Sequence, residues 1–264
     1  MSIGEQLKTG ELAAAIESAI QDVKKSPMAW DKRIALSQLL CLQGDLERAD
    51  SHLETAQIQS PDALMRISMY RQMIRGEMTR RECWEKGRTP DLMQGQEPSP
   101  LIEASLRLLL ALREGNLPEA TQLAEQIEKD RAEVAGSCDG REFEDLRDQD
   151  DRTSFFFEVI TSNGKYFWIP FEAIESITFH PPEQPCDLLW RRATMVAFGQ
   201  DGDVFLPVLY PGSSQSEDVA CKLGQSTTWL GSEGEPARGL GQRMLWLGEE
   251  EKSIMEIGTL ELRK

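Results

Sequence analysis

At 264 residues and 40% hydrophobic composition, the chain is long enough for two domains and apolar enough to bury a core, which excludes a disordered protein. A formal net charge of −16, a pI of about 4.7 and the absence of a basic stripe argue against nucleic acid and anionic membranes as partners. The acidity is uneven: residues 1–135 carry 17 Lys/Arg against 22 Asp/Glu, and residues 136–264 carry 12 against 23. Cys41, Cys83, Cys138, Cys186 and Cys221 are odd in number, widely spaced and without a C-x-x-C, so they read as free thiols of a reducing compartment. No basic-then-apolar leader opens the chain and no apolar run approaches the ~20 residues of a membrane span, so a cytoplasmic location is expected.

A short phrase recurs in the first half: Gly10-Glu11-Leu12-x-x-Ala15, Gly44-Asp45-Leu46-x-x-Ala49 and Gly115-Asn116-Leu117-x-x-Ala120. The first two glycines are 34 residues apart, the period of a tetratricopeptide repeat, and so are Pro27 and Pro61. In this grammar a glycine ends one helix, an Asp, Glu or Asn starts the next, and a proline closes the unit. Helical stripes then predict helices over 3–24, 28–43, 46–59, 62–86, 101–113 and 117–130. Gly87 to Pro100, with Pro90, Gly95 and Pro98, reads as a loop. Gly44 to Gly115 spans 71 residues, slightly more than two repeats, with Gly76 a candidate for the missing glycine. The expectation is a short TPR-like α-helical domain over residues 1–135, of the kind that makes a binding surface.

Near Gly136 helical spacing gives way to short aromatic and β-branched runs: 155–160, 165–169, 174–179, 195–198 and 204–209, then 226–230, 242–247 and 254–262. Asn163-Gly164 and Gln200-Asp201-Gly202-Asp203 read as hairpin turns, the first with both turn residues at positive φ. Residues 136–264 are therefore expected to form an acidic, β-rich α+β domain, partly closed like a barrel.

Chemistry is sparse. His52 and His180 have no Cys or His at ligand spacing, so neither a zinc site nor any other cofactor is expected. Asp145-x-x-Asp148-x-Asp150-Asp151 lacks the glycine and distal Glu of an EF-hand loop. With Arg141, Arg147 and Arg152 interleaved, the run reads as arginine-paired, and a weak Ca²⁺ or Mg²⁺ site is the alternative. Gly239-Leu240-Gly241-Gln242-Arg243 does not complete a nucleotide loop, and Tyr210-Pro211-Gly212-Ser213-Ser214 is a turn and not a nucleophile elbow. Glu249-Glu250-Glu251 reads as a charged turn. Tyr166, Trp168, Phe171, Trp190 and Trp229 read as core before they read as a stacking platform.

Six segments, in order, resemble the ImpE/TagJ family over nearly the whole chain. They are Gly87-Arg88-Thr89-Pro90; Asp139-Gly140-x-x-Phe143-x-x-Leu146-x-Asp148-x-Asp150-x-Arg152; Gly164-x-Tyr166-x-Trp168-x-Pro170-Phe171; Asp187-Leu188-x-Trp190; Tyr210-Pro211-Gly212-Ser213; and Gly239-Leu240-Gly241-Gln242-Arg243. The resemblance implies a cytoplasmic, non-enzymatic accessory protein of bacterial type VI secretion. It implies binding to the N-terminal helix of the small sheath subunit TssB, and through it an indirect link to TssC and to the ClpV ATPase that recycles contracted sheath. It brings no catalytic residues. Asp139, Asp148, Asp150, Arg152, Gln242 and Arg243 are the candidate partner-binding residues. A cation-dependent hydrolase centred on Asp139, Asp148, Asp150 and Arg152, or a scaffold for another partner, are the alternatives.

Overall fold

A computed structural model describes residues 3–92 and 99–263. The helical half holds α1 (Ile3–Lys8), α2 (Leu12–Lys25), α3 (Trp30–Gln43), α4 (Leu46–Gln59), α5 (Leu64–Arg81), α6 (Pro100–Glu114) and α7 (Leu117–Asp130). The recurring phrase is a helix-end device. At Gly44, φ is +91°, its N–H reaches the Cys41 carbonyl and the Asp45 N–H reaches Leu40, the paired bonds of a left-handed glycine stop. Asp45 then turns its carboxylate onto the Arg48 N–H and caps α4. Gly115-Asn116 repeats the arrangement between α6 and α7, and Gly10-Glu11 repeats the glycine stop without a side-chain cap. Most of the Leu and Ala positions of the phrases turn toward the core: Leu12, Ala15, Leu46, Ala49 and Ala120 are buried, and Leu117 is half-buried.

The glycine stop at Gly10 divides the expected helix 3–24 into α1 and α2. The expected helix 62–86 is a 3₁₀ turn (Pro61–Ala63), then α5, then a π-helical turn (Glu82–Lys86). Gly76 ends no helix. It lies inside α5, where an added Cβ would stand 2.4 Å from Ile160, so it serves close approach of the helix to the sheet. Part of the expected loop, 93–98 with Gly95 and Pro98, lies outside the described residues.

The strands are β1 (Gly136–Cys138), β2 (Arg141–Phe143), β3 (Leu146–Asp148), β4 (Phe156–Thr161), β5 (Tyr166–Pro170), β6 (Ile174–Phe179), β7 (Trp190–Ala197) and β8 (Gln200–Pro207). After a short α8 (Val219–Lys222) come β9 (Thr227–Leu230), β10 (Arg238–Gly241), β11 (Met244–Leu247), β12 (Glu250–Ser253) and β13 (Thr259–Leu262). Eight of them form one antiparallel sheet in the order β2-β1-β13-β6-β7-β8-β4-β5; β12-β11-β3 and β10-β9 form two smaller sheets. The large sheet is open, with β2 and β5 at its edges, so the expected partial barrel is not formed.

The expected hairpin at Asn163-Gly164 joins β4 to β5, with one detail corrected, and the second expected turn is displaced. After β4 only Gly164 is left-handed (φ +79°), closing a turn from Thr161 through Asn163. The β7–β8 turn is at Phe198-Gly199 (φ +54° and +71°), because Ala197 pairs with Gln200; Gln200–Asp203 are strand. Glu250 and Glu251, expected in a turn, pair with Leu247 and Trp246.

Alternation on the strands builds two cores. Phe156, Ile160, Tyr166, Trp168 and Phe205 join the helices in one continuous cluster. Phe157, Val159, Phe167, Ile169 and Leu206 face the other way and pack beneath Leu146, Leu245 and Leu247 of the three-stranded sheet. The result is three layers: helices, large sheet, small sheet. Among the described residues no helix is long and apolar enough to cross a membrane.

Candidate functional site: a buried ionic hub beneath an arginine-lined cleft

Where α5 crosses the sheet, charges replace apolar residues. Met73 and Ile74 continue the inward stripe of α5 into Glu77 and Arg80, so helical spacing aims both charges inward. On β4, Glu158 interrupts an otherwise apolar run. Arg80 forks onto it, Nε to Oε1 at 2.8 Å and Nη2 to Oε2 at 3.0 Å, and Nη2 also donates to the Leu209 carbonyl at 2.8 Å. Trp84 Nε1 donates to Glu158 at 2.7 Å, and the Tyr166 hydroxyl donates to the same carboxylate. Trp168 Nε1 donates to the Tyr166 hydroxyl at 2.7 Å.

Arg243 extends the chain, bridging Glu158 and Asp148 while fully buried. Asp148 also accepts from the Tyr210 hydroxyl (2.8 Å) and the Asp150 N–H (3.0 Å). Asp150 takes the Arg152 guanidinium and the Gly239 N–H (2.8 Å). Arg152 lies over the Trp84 ring, 5.3 Å from its centroid, and so returns to the helical half. Gly239 is needed for close approach: a Cβ there would stand 2.2 Å from the Tyr210 ring. Glu77 receives Trp190 Nε1 at 3.2 Å and the Arg80 guanidinium at 3.3 Å.

The two bridged carboxylates respond in opposite directions. Burial pushes Asp148 up to about 6, and neighbouring Asp150 adds to this against the pull of Arg243. Burial acts the same way on Glu158, but Arg80 and Arg243 together outweigh it and hold the carboxyl down at about 2.

Asp148, Asp150, Arg152 and Arg243 thus meet in the hub, together with Tyr166, Trp168, Trp190 and Tyr210 from three further family-like segments. Asp139 does not join them. With φ +51° it closes the β1–β2 turn and accepts the Thr259 (2.7 Å) and Gly258 (3.1 Å) N–H groups, fastening β13. Gln242 is half-buried and bridges to Leu209 through its backbone. Among the expected pairings, Arg152 pairs with Asp150, whereas Arg147 pairs with Asp151 and with Glu128 of α7, and Asp145 with Arg131 at the end of α7. Sequence reading missed Glu77, Arg80, Trp84 and Glu158. Their signal is present: two charges on an inward helical stripe, and one carboxylate inside Phe155-Phe156-Phe157-Glu158-Val159-Ile160.

Above the hub opens a cleft of about 260 Å³ between α5, α6 and the Tyr210–Gln215 turn. Arg80, Arg81, Arg113, Arg152 and Arg238 line it, against Glu77 and Glu85, with Trp84, Trp190 and Leu112 as apolar walls. The repeated glycine motif shapes its rim: Gly44 abuts Ser214, and Arg81 holds the Gly44 carbonyl at 2.8 Å. Among the described residues no group of three or more His, Cys, Asp or Glu is placed to hold a metal ion.

Helical hairpins clamped onto an open sheet through a buried ionic hub define an α+β protein. Residues 140–261 match the family model described as ImpE protein. The chain is 32% identical over 229 residues, 86% of its length and 80% of the relative's, to the type VI secretion system accessory component TagJ of Pseudomonas aeruginosa. A crystal structure of a Vibrio parahaemolyticus protein superposes with a TM-score of 0.90 at 27% identity, covering 99% of this chain and 97% of that one. The chain belongs to the ImpE/TagJ family.

Proposed function

We propose that this protein is a non-enzymatic, cytoplasmic accessory component of type VI secretion. Its helical hairpins act as a TPR-like array that docks the N-terminal helix of the small sheath subunit TssB. Through TssB it is linked to TssC and to ClpV-dependent recycling of contracted sheath. In this reading residues 1–135 are the docking domain and residues 136–264 the acidic β-rich domain that braces it.

The observation that carries the reading is the saturation of the hub. Asp139, Asp148, Asp150 and Arg152, the residues of the hydrolase alternative, each hold an internal partner. The hydroxyl bonded to Asp148, that of Tyr210, is buried and also takes the Met244 N–H. The family's named accessory component supports the secretion role. The hub residues affect partner binding by fixing the cleft that Arg152 lines, Gln242 by holding the Leu209 turn, and Asp139 from a separate position at the β13 end of the sheet.

Fluorescence anisotropy with a labelled peptide covering the TssB N-terminal helix tests this. Affinity on the order of micromolar is expected, because a short helix must order on docking. No binding at ~1 mM protein, a limit of about −4 kcal/mol, refutes the mechanism.

A further inference from the structure

Three guanidiniums line the cleft without a carboxylate in hydrogen-bond range among the described residues. Arg113 donates only to the Cys83 and Trp84 carbonyls, at 3.2 and 3.4 Å, and meets no carboxylate among the described residues. Arg81 stands 3.6 Å from Glu77, whose oxygens already take Arg80 and Trp190. Arg238 has its nearest carboxylate, Glu235, at 3.9 Å, and its buried Nε has no hydrogen-bond partner. A buried donor without an acceptor is costly, and a planar guanidinium fork is matched by a carboxylate. In a chain of net charge −16, a cationic cleft of this kind is a local inversion of sign. Within a Debye length of about 8 Å, the local arginines govern what enters.

We propose that this cleft receives an acidic side chain of a docked partner polypeptide, its carboxylate taken by Arg81, Arg113 and Arg238. The occupant follows from charge and shape. A volume of about 260 Å³ holds one or two side chains. Trp84, Trp190 and Leu112 line the cleft beside the arginines, so the segment carries an apolar residue next to the acid. The proposal rests on the adaptor reading and adds a specificity pocket to it: an acidic residue at one position sets the register of the docked segment.

The test is a titration of the intact protein, by NMR and by the fluorescence of Trp84 and Trp190, with three probes to ~10 mM. They are a blocked Leu-Glu-Leu tripeptide, its Gln counterpart and inorganic phosphate. The Glu peptide is expected to bind at least tenfold more tightly than the Gln peptide. Arg113→Gln and Arg238→Gln are each expected to remove that preference with melting temperature unchanged, and Arg113→Lys to restore only part of it. Equal binding of the Glu and Gln peptides, no binding of either, or binding of phosphate alone overturns the proposal. The TssB-helix peptide is measured alongside. If it binds and ignores the arginine substitutions while the Glu probe fails, the pocket is refuted and the adaptor reading stands. If the Glu probe binds as expected and the TssB helix does not, the choice of partner is refuted and the pocket stands.

Discussion

Arg80 and Glu158, 78 residues apart in sequence, form a two-bond fork at 2.8 and 3.0 Å that pins α5 to β4. Both side chains are buried, Glu158 completely. Removing one partner of such a pair strands the other charge away from water, which costs about 3–5 kcal/mol. Arg80→Ala is therefore expected to lower the stability measured by urea unfolding by about that amount, more than the loss of packing alone. Arg80→Ala combined with Glu158→Gln is expected to recover part of it. Strict additivity of the two changes shows the pair to be uncoupled and refutes the fork as the clamp.

The hub carries a pH signature. The folded pKa of Glu158, about 2, is below the ~4.3 of an unfolded glutamate. A lowered folded value gives stabilisation that is full above the unfolded pKa and lost as pH falls through the folded one. This carboxylate alone contributes about 3 kcal/mol that disappears between about pH 5 and pH 2. Asp148, raised to about 6, has the opposite sign: its contribution is full below about 3.9 and is lost as pH rises through about 6. Unfolding curves from pH 2.5 to 7 are expected to show a shallower acid limb for Glu158→Gln and a flatter profile between pH 4 and 6 for Asp148→Asn. Superimposable profiles for the wild type and both variants contradict the assigned shifts.

Gly44 joins the helical grammar to the cleft. A side chain there meets a left-handed backbone (φ +91°) and the Ser214 Cβ at 2.9 Å. Gly44→Val is expected to cost about 1–3 kcal/mol. It is also expected to weaken any ligand of the cleft, since the Ser214 turn has to shift. A melting curve identical to wild type removes the glycine from both roles.

The helical half was the more legible because its signals are local. The starts of α4 and α7 follow from Asp45 and Asn116 and the end of α6 from Gly115, all within one turn of what they cap. What failed there was continuity: the stop that Gly10 makes is the one Gly44 makes, yet the apolar stripe on either side reads as a single helix. Strand signals failed where partners lie far away. β1 to β3 are three residues each, with Arg141 and Glu142 exposed, so no alternation develops until Leu262 and Leu247 supply the other side. β12 is hidden by its exposed Glu250 and Glu251. The β7–β8 turn was displaced because Phe198 takes a left-handed conformation that its residue type does not announce. In the site, Asp148, Asp150, Arg152 and Arg243 were visible as motif residues, but their common destination was not. It depends on Glu158 and Arg80, which belong to no motif and are brought in by the packing of α5 on the sheet.

The acidic segment offers the sharpest separation of a bracing role from a contact role. Asp148 and Asp150 are both fully buried, and together they hold Arg243, Arg152, the Tyr210 hydroxyl and the Gly239 N–H. Asp148→Asn with Asp150→Asn keeps the shapes but removes two charges, leaving the Arg152 guanidinium without its carboxylate and Arg243 with Glu158 alone. Loss of several kcal/mol is expected, as for other broken buried pairs. Arg152, released from Asp150, is free to leave the Trp84 ring and move into the cleft. A docked TssB-helix peptide is therefore expected to bind with altered affinity to the folded fraction of the double variant, although neither aspartate faces solvent. Melting temperature and peptide affinity, measured on the same sample, decide the matter. Full stability with lost binding means that the aspartates touch the partner directly, and the bracing role is then wrong.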